Sequence, residues 1–104
     1  MSSAKTPWAI TTSSRVVAAK DQVSSSLAGE MVILSLQTGR YFGLGRVGAR
    51  IWDLLKAPAR VADIRDTIVA EYEVEPERCE RDVLALLERL ADQGLIEMTD
   101  GTAP

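Results

Sequence analysis

The sequence predicts an α+β domain in which three strands are followed by three helices, and it does so through three patterns. Residues 34–55 read LSLQTGRYFGLGRVGARIWDLL and pass from a period of two to a helical period within that one stretch. Val61, Ile64, Ile68 and Tyr72 recur at spacings of three and four. Cys79, Val83, Leu86, Leu87 and Leu90 form a second, broader helical stripe.

Taken in order, residues 1–14 (MSSAKTPWAITTSS) are small and polar without a sustained period, the pattern of a flexible arm. Trp8 and Ile10 are the side chains it has available to dock on the domain or on a partner. Residues 15–27, with Val16, Val17, Val23 and Leu27, read as a first short strand, and Ala28-Gly29 turns it into the next. Residues 30–36 and 40–44 make a hairpin. Val32, Leu34 and Leu36 alternate with Ile33, Ser35 and Gln37, Gly39 supplies the positive φ of the turn, and Tyr41-Phe42 resumes the strand.

The first helix spans 47–56, with Val47, Ile51, Leu54 and Leu55 on one stripe, Trp52 at its margin and Pro58 as its stop. Gly45 precedes it as a tolerable but weak cap. The second spans 60–72 and carries Asp63 and Asp66 near its N-terminal end, where the helix dipole favours anions. The third starts at Pro76 or Glu77, since a proline lacks only an N–H that the first turn would leave unpaired, and runs to about Gln93. Gly94 caps it. The LIEM that follows is a short apolar strand or an extended tail, and residues 99–104 fray. The chain thus divides into an arm (1–14), one domain (15–98) and a tail (99–104).

Composition narrows the function. The chain has 104 residues, 46% hydrophobic and 26% charged, which suits one soluble globular domain with a single core. No apolar run approaches the roughly 20 residues of a membrane-spanning helix, and no secretory signal pattern opens the chain, so the expected compartment is the cytoplasm. With one cysteine and no histidine, the chain lacks an intrachain disulfide, the commonest metal ligand and the commonest general base. Glu77, Glu80 and Glu88 make no catalytic pair by spacing, and Cys79 has no histidine to activate it. No catalytic residue, metal or cofactor is expected.

The net charge of −3 is unevenly spread: residues 1–60 sum to +5 and residues 61–104 to −8. The acidic half is either a set of solvated helix faces or an acidic rim beside a binding groove. The third helix is also unusually wide in its apolar face. Its main stripe covers about 100° of arc, and Leu84 and Ala91 extend it to about 160°. Either other elements surround this helix, or one margin of the stripe lines an open groove.

The TGRYFGL hairpin, the GARIWDLL helix, a second helix ending in AEYEV and the closing DVLALLERLADQGLIE together resemble the PqqD-like peptide-recognition domain, the RiPP recognition element. The resemblance is strongest to the stand-alone leader-peptide-binding proteins of lasso-peptide biosynthesis and covers about 23–97. It departs at Gly45, where the family more often has asparagine. It implies a winged helix-turn-helix-like fold, with a three-stranded antiparallel sheet followed by three helices. It also implies a non-catalytic adaptor, or peptide chaperone, in which the leader of a ribosomally made precursor adds as a strand to the open edge of the third strand and is presented to a leader peptidase.

On that reading Arg40, Tyr41, Phe42, Gly43 and Leu44 form the strand side of the site, and Asp82, Val83, Leu86, Leu87 and Leu90 the helix side. The exposed strand edge accepts almost any extended peptide, so selectivity falls to the side chains. Tyr41 and Phe42 would wall the groove, the leucines and Val83 would floor its apolar pockets, and Asp82 would make a rim contact; Phe42 and Leu87 read more readily as core residues than as site residues. Two alternatives stand beside it: a carrier delivering another precursor, such as that of pyrroloquinoline quinone, to a radical enzyme, and a winged-helix DNA-binding protein. Residues 76–93 carry Arg78, Arg81 and Arg89 against Glu77, Glu80, Asp82, Glu88 and Asp92, a charge that repels phosphate, and only Arg40, Arg46 and Arg50 form a basic cluster. Neither nucleic acid nor membrane is therefore an expected partner.

Overall fold

The computed structural model describes residues 10–99. The elements follow one another as β1 (Arg15–Ala18), β2 (Gln22–Leu27), β3 (Glu30–Ser35), β4 (Tyr41–Leu44), α1 (Arg46–Leu54), β5 (Ala59–Arg60), α2 (Val61–Glu71), α3 (Pro76–Asp92) and β6 (Ile96–Met98). The expected three-stranded antiparallel sheet is present, ordered β2-β3-β4 and followed by the three helices. Ala28 and Gly29 both take positive φ (56° and 84°) in the β2–β3 turn, and Gly39 takes 73° in the β3–β4 turn. These are the backbone conformations that two tight hairpins demand.

The stretch 15–27 is two strands, not one. β1 parts from β2 at residues 19–21 and becomes the centre of a second antiparallel sheet, β5-β1-β6. LIEM supplies its β6 strand. Residues 10–14, read from the sequence as part of a loose arm, are tied into the domain: Ile10 is buried in the core, and the carbonyls of Ser14 and Thr12 accept from Val61 N–H at 2.9 Å and Ala62 N–H at 3.0 Å. They satisfy two of the donors that the start of α2 leaves open, which matters because the N-cap Arg60 makes no side-chain bond there. At the other end Thr99 N–H donates to the Arg15 carbonyl at 2.8 Å, so this first residue of the presumed frayed tail prolongs the β1–β6 pairing. Trp8, with the rest of residues 1–9, and residues 100–104 lie outside the described residues.

Both sheets and all three helices feed one core, with Val16 and Ile96 from one sheet, Ile33 and Leu44 from the other, and Trp52, Ile68 and Leu87 from α1, α2 and α3. Two facings differ from the sequence pattern. In α1 the buried arc runs through Ile51, Leu55 and Trp52, so Trp52 is 1% exposed whereas Val47, expected on the central stripe, is 39% exposed. At about 100° per residue these three lie on one side of the helix with Leu55 between the other two, and that side fits between β3 and α2. In β3 the inward set is Ile33 and Ser35, while Val32 and, just beyond the strand, Leu36 face out. The register decides this: Ile33 lies opposite Phe42 and Met31 opposite Leu44, on the side that meets the helices. Buried Ser35 keeps a partner because its Oγ accepts from Thr38 N–H at 3.3 Å, inside the hairpin turn.

α3 ends in a Schellman cap. Gly94 takes φ 72°, its N–H donates to the Ala91 carbonyl at 2.9 Å, and Leu95 N–H donates to the Leu90 carbonyl at 2.9 Å. Leu95 is 1% exposed, so the cap aims the chain back into the core and delivers it to β6.

Candidate functional site

β4 is the last strand of its sheet. It pairs with β3 through Phe42 opposite Ile33 and Leu44 opposite Met31, and Ser35 N–H donates to the Arg40 carbonyl at 2.9 Å. Backbone groups of alternate residues in an antiparallel strand point to opposite sides, so the N–H and C=O of Tyr41 and Gly43 point to the open edge. Such a row of unpaired groups is a template for another extended chain.

The same alternation divides the side chains. Phe42 is half-buried on the helix side, where the Arg89 guanidinium of α3 sits 5.2 Å from its ring centroid. Leu44, also on that side, is 6% exposed. Tyr41 lies opposite Leu34 on the far side and is 73% exposed. Of the two aromatic residues expected to wall a groove against the third helix, only Phe42 stands there, because adjacent residues of a strand cannot face the same way. Gly43 lies opposite Val32 on the Tyr41 side, and a Cβ added to it would meet nothing within 4 Å. Arg40 is exposed in the turn, its N–H bonded to Thr38 Oγ1 at 3.2 Å.

On α3 the stripe separates into a buried centre and two half-buried margins. Leu87 and Leu90 are 0% exposed and Val83 2%. Leu87 and Leu90 therefore offer no surface to a ligand and back the groove from within, a correction to their expected place in its pockets. Leu86 is half-buried at one margin, with exposed Asp82 one turn earlier, while Leu84 and Ala91 are half-buried at the other. Both explanations of the wide stripe thus hold in part, since the helix is surrounded at its centre and accessible along Leu86.

Next to Leu86 the surface deepens into a cavity of about 720 Å³ between the start of α1, the α2–α3 connection and the first half of α3. Val47, Gly48, Ile51, Val74, Val83 and Leu86 supply its apolar lining. A Cβ on Gly48 would come within 3.2 Å of Leu44 Cβ and Cδ2, so glycine here lets α1 close on the end of β4. Cys79 reaches the cavity while 4% exposed, with Sγ donating to the Arg65 carbonyl at 3.8 Å. Burial, with the charge of Asp82 second, pushes its thiol pKa up, which keeps it protonated and unreactive at neutral pH.

Ion pairs brace the helices around this cavity. Arg50 of α1 makes two 2.8 Å bonds to Glu71 of α2 and one of 3.1 Å to Asp53, and Arg65 of α2 bonds Glu80 of α3 at 2.8 Å. The hydrogen bond from Arg50 holds the Glu71 carboxyl below its ordinary pKa. The basic cluster Arg40, Arg46 and Arg50 thereby has one member engaged with acids. Among the described residues no group of three His, Cys, Asp or Glu is placed to hold a metal, and no helix is long and apolar enough to cross a membrane.

Val47, Gly48, Val74 and Arg89 belong to this surface and were not assigned to the site by sequence reasoning. Val74 had a readable signal, as an aliphatic residue between Glu73 and Glu75 outside any helical stripe. Arg89 had one too, three residues beyond Leu86 and so on its face of the helix.

A family model described as coenzyme PQQ synthesis protein D (PqqD) matches residues 30–96. Among solved structures, TbiB1 in complex with the TbiA(beta) leader peptide is 42% identical, with a TM-score of 0.73 over 85% of this chain and 99% of that one. A lasso peptide synthetase B1 complexed with the leader peptide is 28% identical, with a TM-score of 0.70 over 79% of this chain and 96% of that one. No curated protein matches the sequence.

Proposed function

The chain belongs to the PqqD family, the RiPP recognition elements, and from that premise we propose that it is an adaptor that captures the leader segment of a ribosomally made precursor, of the lasso-peptide class, and presents it to a leader peptidase. The observation that carries this reading is the open edge of β4 beside the accessible margin of α3. An extended peptide entering there gains main-chain bonds from Tyr41 and Gly43, and its alternate side chains turn toward Phe42, Arg89 and Leu86. Affinity comes from the backbone; choice comes from the groove.

The two solved relatives are both complexes with leader peptides, which supports the partner class. A non-catalytic role is supported by the chemistry within reach of the groove. Its one thiol is held protonated, and the chain has no histidine to activate it. The surface of α3 is acidic, and Arg50 is occupied by Glu71 and Asp53, so duplex DNA finds little to hold.

Calorimetric titration with a synthetic leader peptide of the lasso-peptide class, paired with a gel shift on mixed duplex DNA at low salt, tests the reading. Saturable leader binding without a DNA complex is expected. A salt-sensitive DNA complex with no leader binding would overturn it.

A further inference from the structure

β4 is one edge of its sheet, and β2 is the other, with β3 as its single neighbour. In β3, Ser35 bonds toward β4 through its N–H to the Arg40 carbonyl, so Ile33 and Met31 aim their backbone groups the same way and Val32 and Leu34 aim theirs at β2. Val32 and Leu34 lie opposite Ser25 and Val23. The N–H and C=O of Ser24 and Ser26 are therefore left for the far side of β2, as those of Tyr41 and Gly43 are at β4.

Edge strands are ordinarily blunted by a lysine, a proline, a bulge or a covering element. Among the described residues, β2 has none of these. Its QVSSSL carries neither a charge nor a proline. Its register against β3 runs one to one from Gln22 opposite Ser35 to Leu27 opposite Glu30, so no bulge interrupts it. Val23 and Leu27 are 54% and 71% exposed on the outer face. Ser26 turns to the helix side with Met31 and is exposed as well, so the body of the domain leaves that side of β2 uncovered.

The strand also has the same character read in either direction, since Val23-Ser24-Ser25-Ser26-Leu27 is balanced about Ser25. An antiparallel strand of the same sequence, centred on Ser25, sets Ser24 against Ser26 at the hydrogen-bonding positions and Val23 against Leu27 on the outer face. Apolar side chains meet each other, hydroxyls meet hydroxyls, and chains of net charge −3 approach along a strand with no charge to oppose them. The YFGL of β4 has no such balance.

We propose that β2 is a homodimerisation edge: a second copy of this chain pairs with it antiparallel about a two-fold axis at Ser25, joining the two β2-β3-β4 sheets into one. The axis closes the assembly at two copies. Each β4 then lies at an outer end, so both of its open edges remain free and the dimer carries a pair of peptide sites. One short strand buries less than a standard interface, so the dimer should form with a dissociation constant of about 10 to 100 µM.

Sedimentation equilibrium of the intact chain, over a concentration series that spans this range, is the test. Wild type should pass from the mass of one chain to that of two. Ser25→Lys and Ser25→Glu each set like charges face to face at the axis, and each should weaken the dimer about three- to tenfold, whereas an equimolar mixture of the two variants should pair again. Ser25 is exposed, and thermal unfolding confirms that each variant is folded. Gly43→Pro, which alters only the β4 edge, should dimerise as wild type does. A wild type that stays single at every concentration overturns the proposal. So does a dimer indifferent to Ser25→Lys or lost in Gly43→Pro, since its contact lies elsewhere. Masses that grow beyond two copies overturn it too, because a contact of β2 with β4 would have no reason to close.

Discussion

β1 lies at the centre of its sheet, with Val16 fully buried and a strand on either side, whereas β4 closes its sheet with one neighbour, a 73% exposed Tyr41 and an open row of backbone groups. Both strands are four residues long and both sit on the same core. The difference is in the second edge and the second face. β5-β1-β6 gathers residues from near both ends of the chain, so its strands hold the domain closed. β2-β3-β4 hangs on that body by Ile33, Phe42 and Leu44, and its outer face presents Val23, Val32 and Tyr41 to solvent. The one sheet is enclosed, and the other leaves an edge and a face open.

The strongest way to break this division is through α3, which serves both. Leu87→Ala empties a fully buried site and should destabilise the fold by about 2 to 5 kcal/mol in denaturant titration. If Leu87 also touched the leader, the protein that remains folded would bind more weakly; the comparison expects its affinity unchanged. Gly43→Pro acts on the other side. It removes an N–H that points to the open edge and not to β3, so the melting temperature should move little while leader affinity falls about tenfold or more, or 1.4 kcal/mol. A melting temperature that collapsed would mean that the β4 edge is structural.

Leu86→Ala is the sharper instrument, because Leu86 and Leu87 are neighbours in sequence and differ in exposure. Half-buried Leu86 should lose less stability than Leu87, yet weaken the leader by about 1 to 2 kcal/mol in calorimetry. Equal effects of the two substitutions on stability would erase the boundary between core and groove. The smallest effect is expected at the β2–β3 turn, whose Ala28 belongs to neither the core nor the cavity lining. Ala28 holds a φ of 56°, and Ala28→Asn should raise stability by about 0.5 to 1 kcal/mol without touching affinity. A change in leader binding there would extend the site to the opposite edge strand.

What the sequence made legible follows the range of each interaction. Helices α1, α2 and α3 and the hairpin around Gly39 are local, set by spacing, turn chemistry and caps that a single stretch of chain contains, and they stand within a few residues of where the pattern put them. The β5-β1-β6 sheet is not local. Its two-residue β5 and three-residue β6 carry no period, and only contact across the fold selects them. The site divides in the same way. That β4 carries an edge and α3 an accessible margin could be read from hairpin order and stripe width, but which of Tyr41 and Phe42 faces inward depends on the register against Ile33, and whether Leu86 or Leu90 meets solvent depends on what packs over each. The cavity is assembled from three separate elements, so no motif announced it.

The hydrogen bond from Thr99 to Arg15 joins the start of β1 to the residue after β6, with residues 10–14 packed on the start of α2. A module whose first and last strands pair in this way can be spliced into a surface loop of a larger protein at a modest loop-closure cost, since the host's flanking segments need not separate far to receive it. That geometry suits tethering the domain within an enzyme's own chain, where the captured peptide would meet the catalytic centre at an effective concentration set by linker length and not by diffusion between separate proteins.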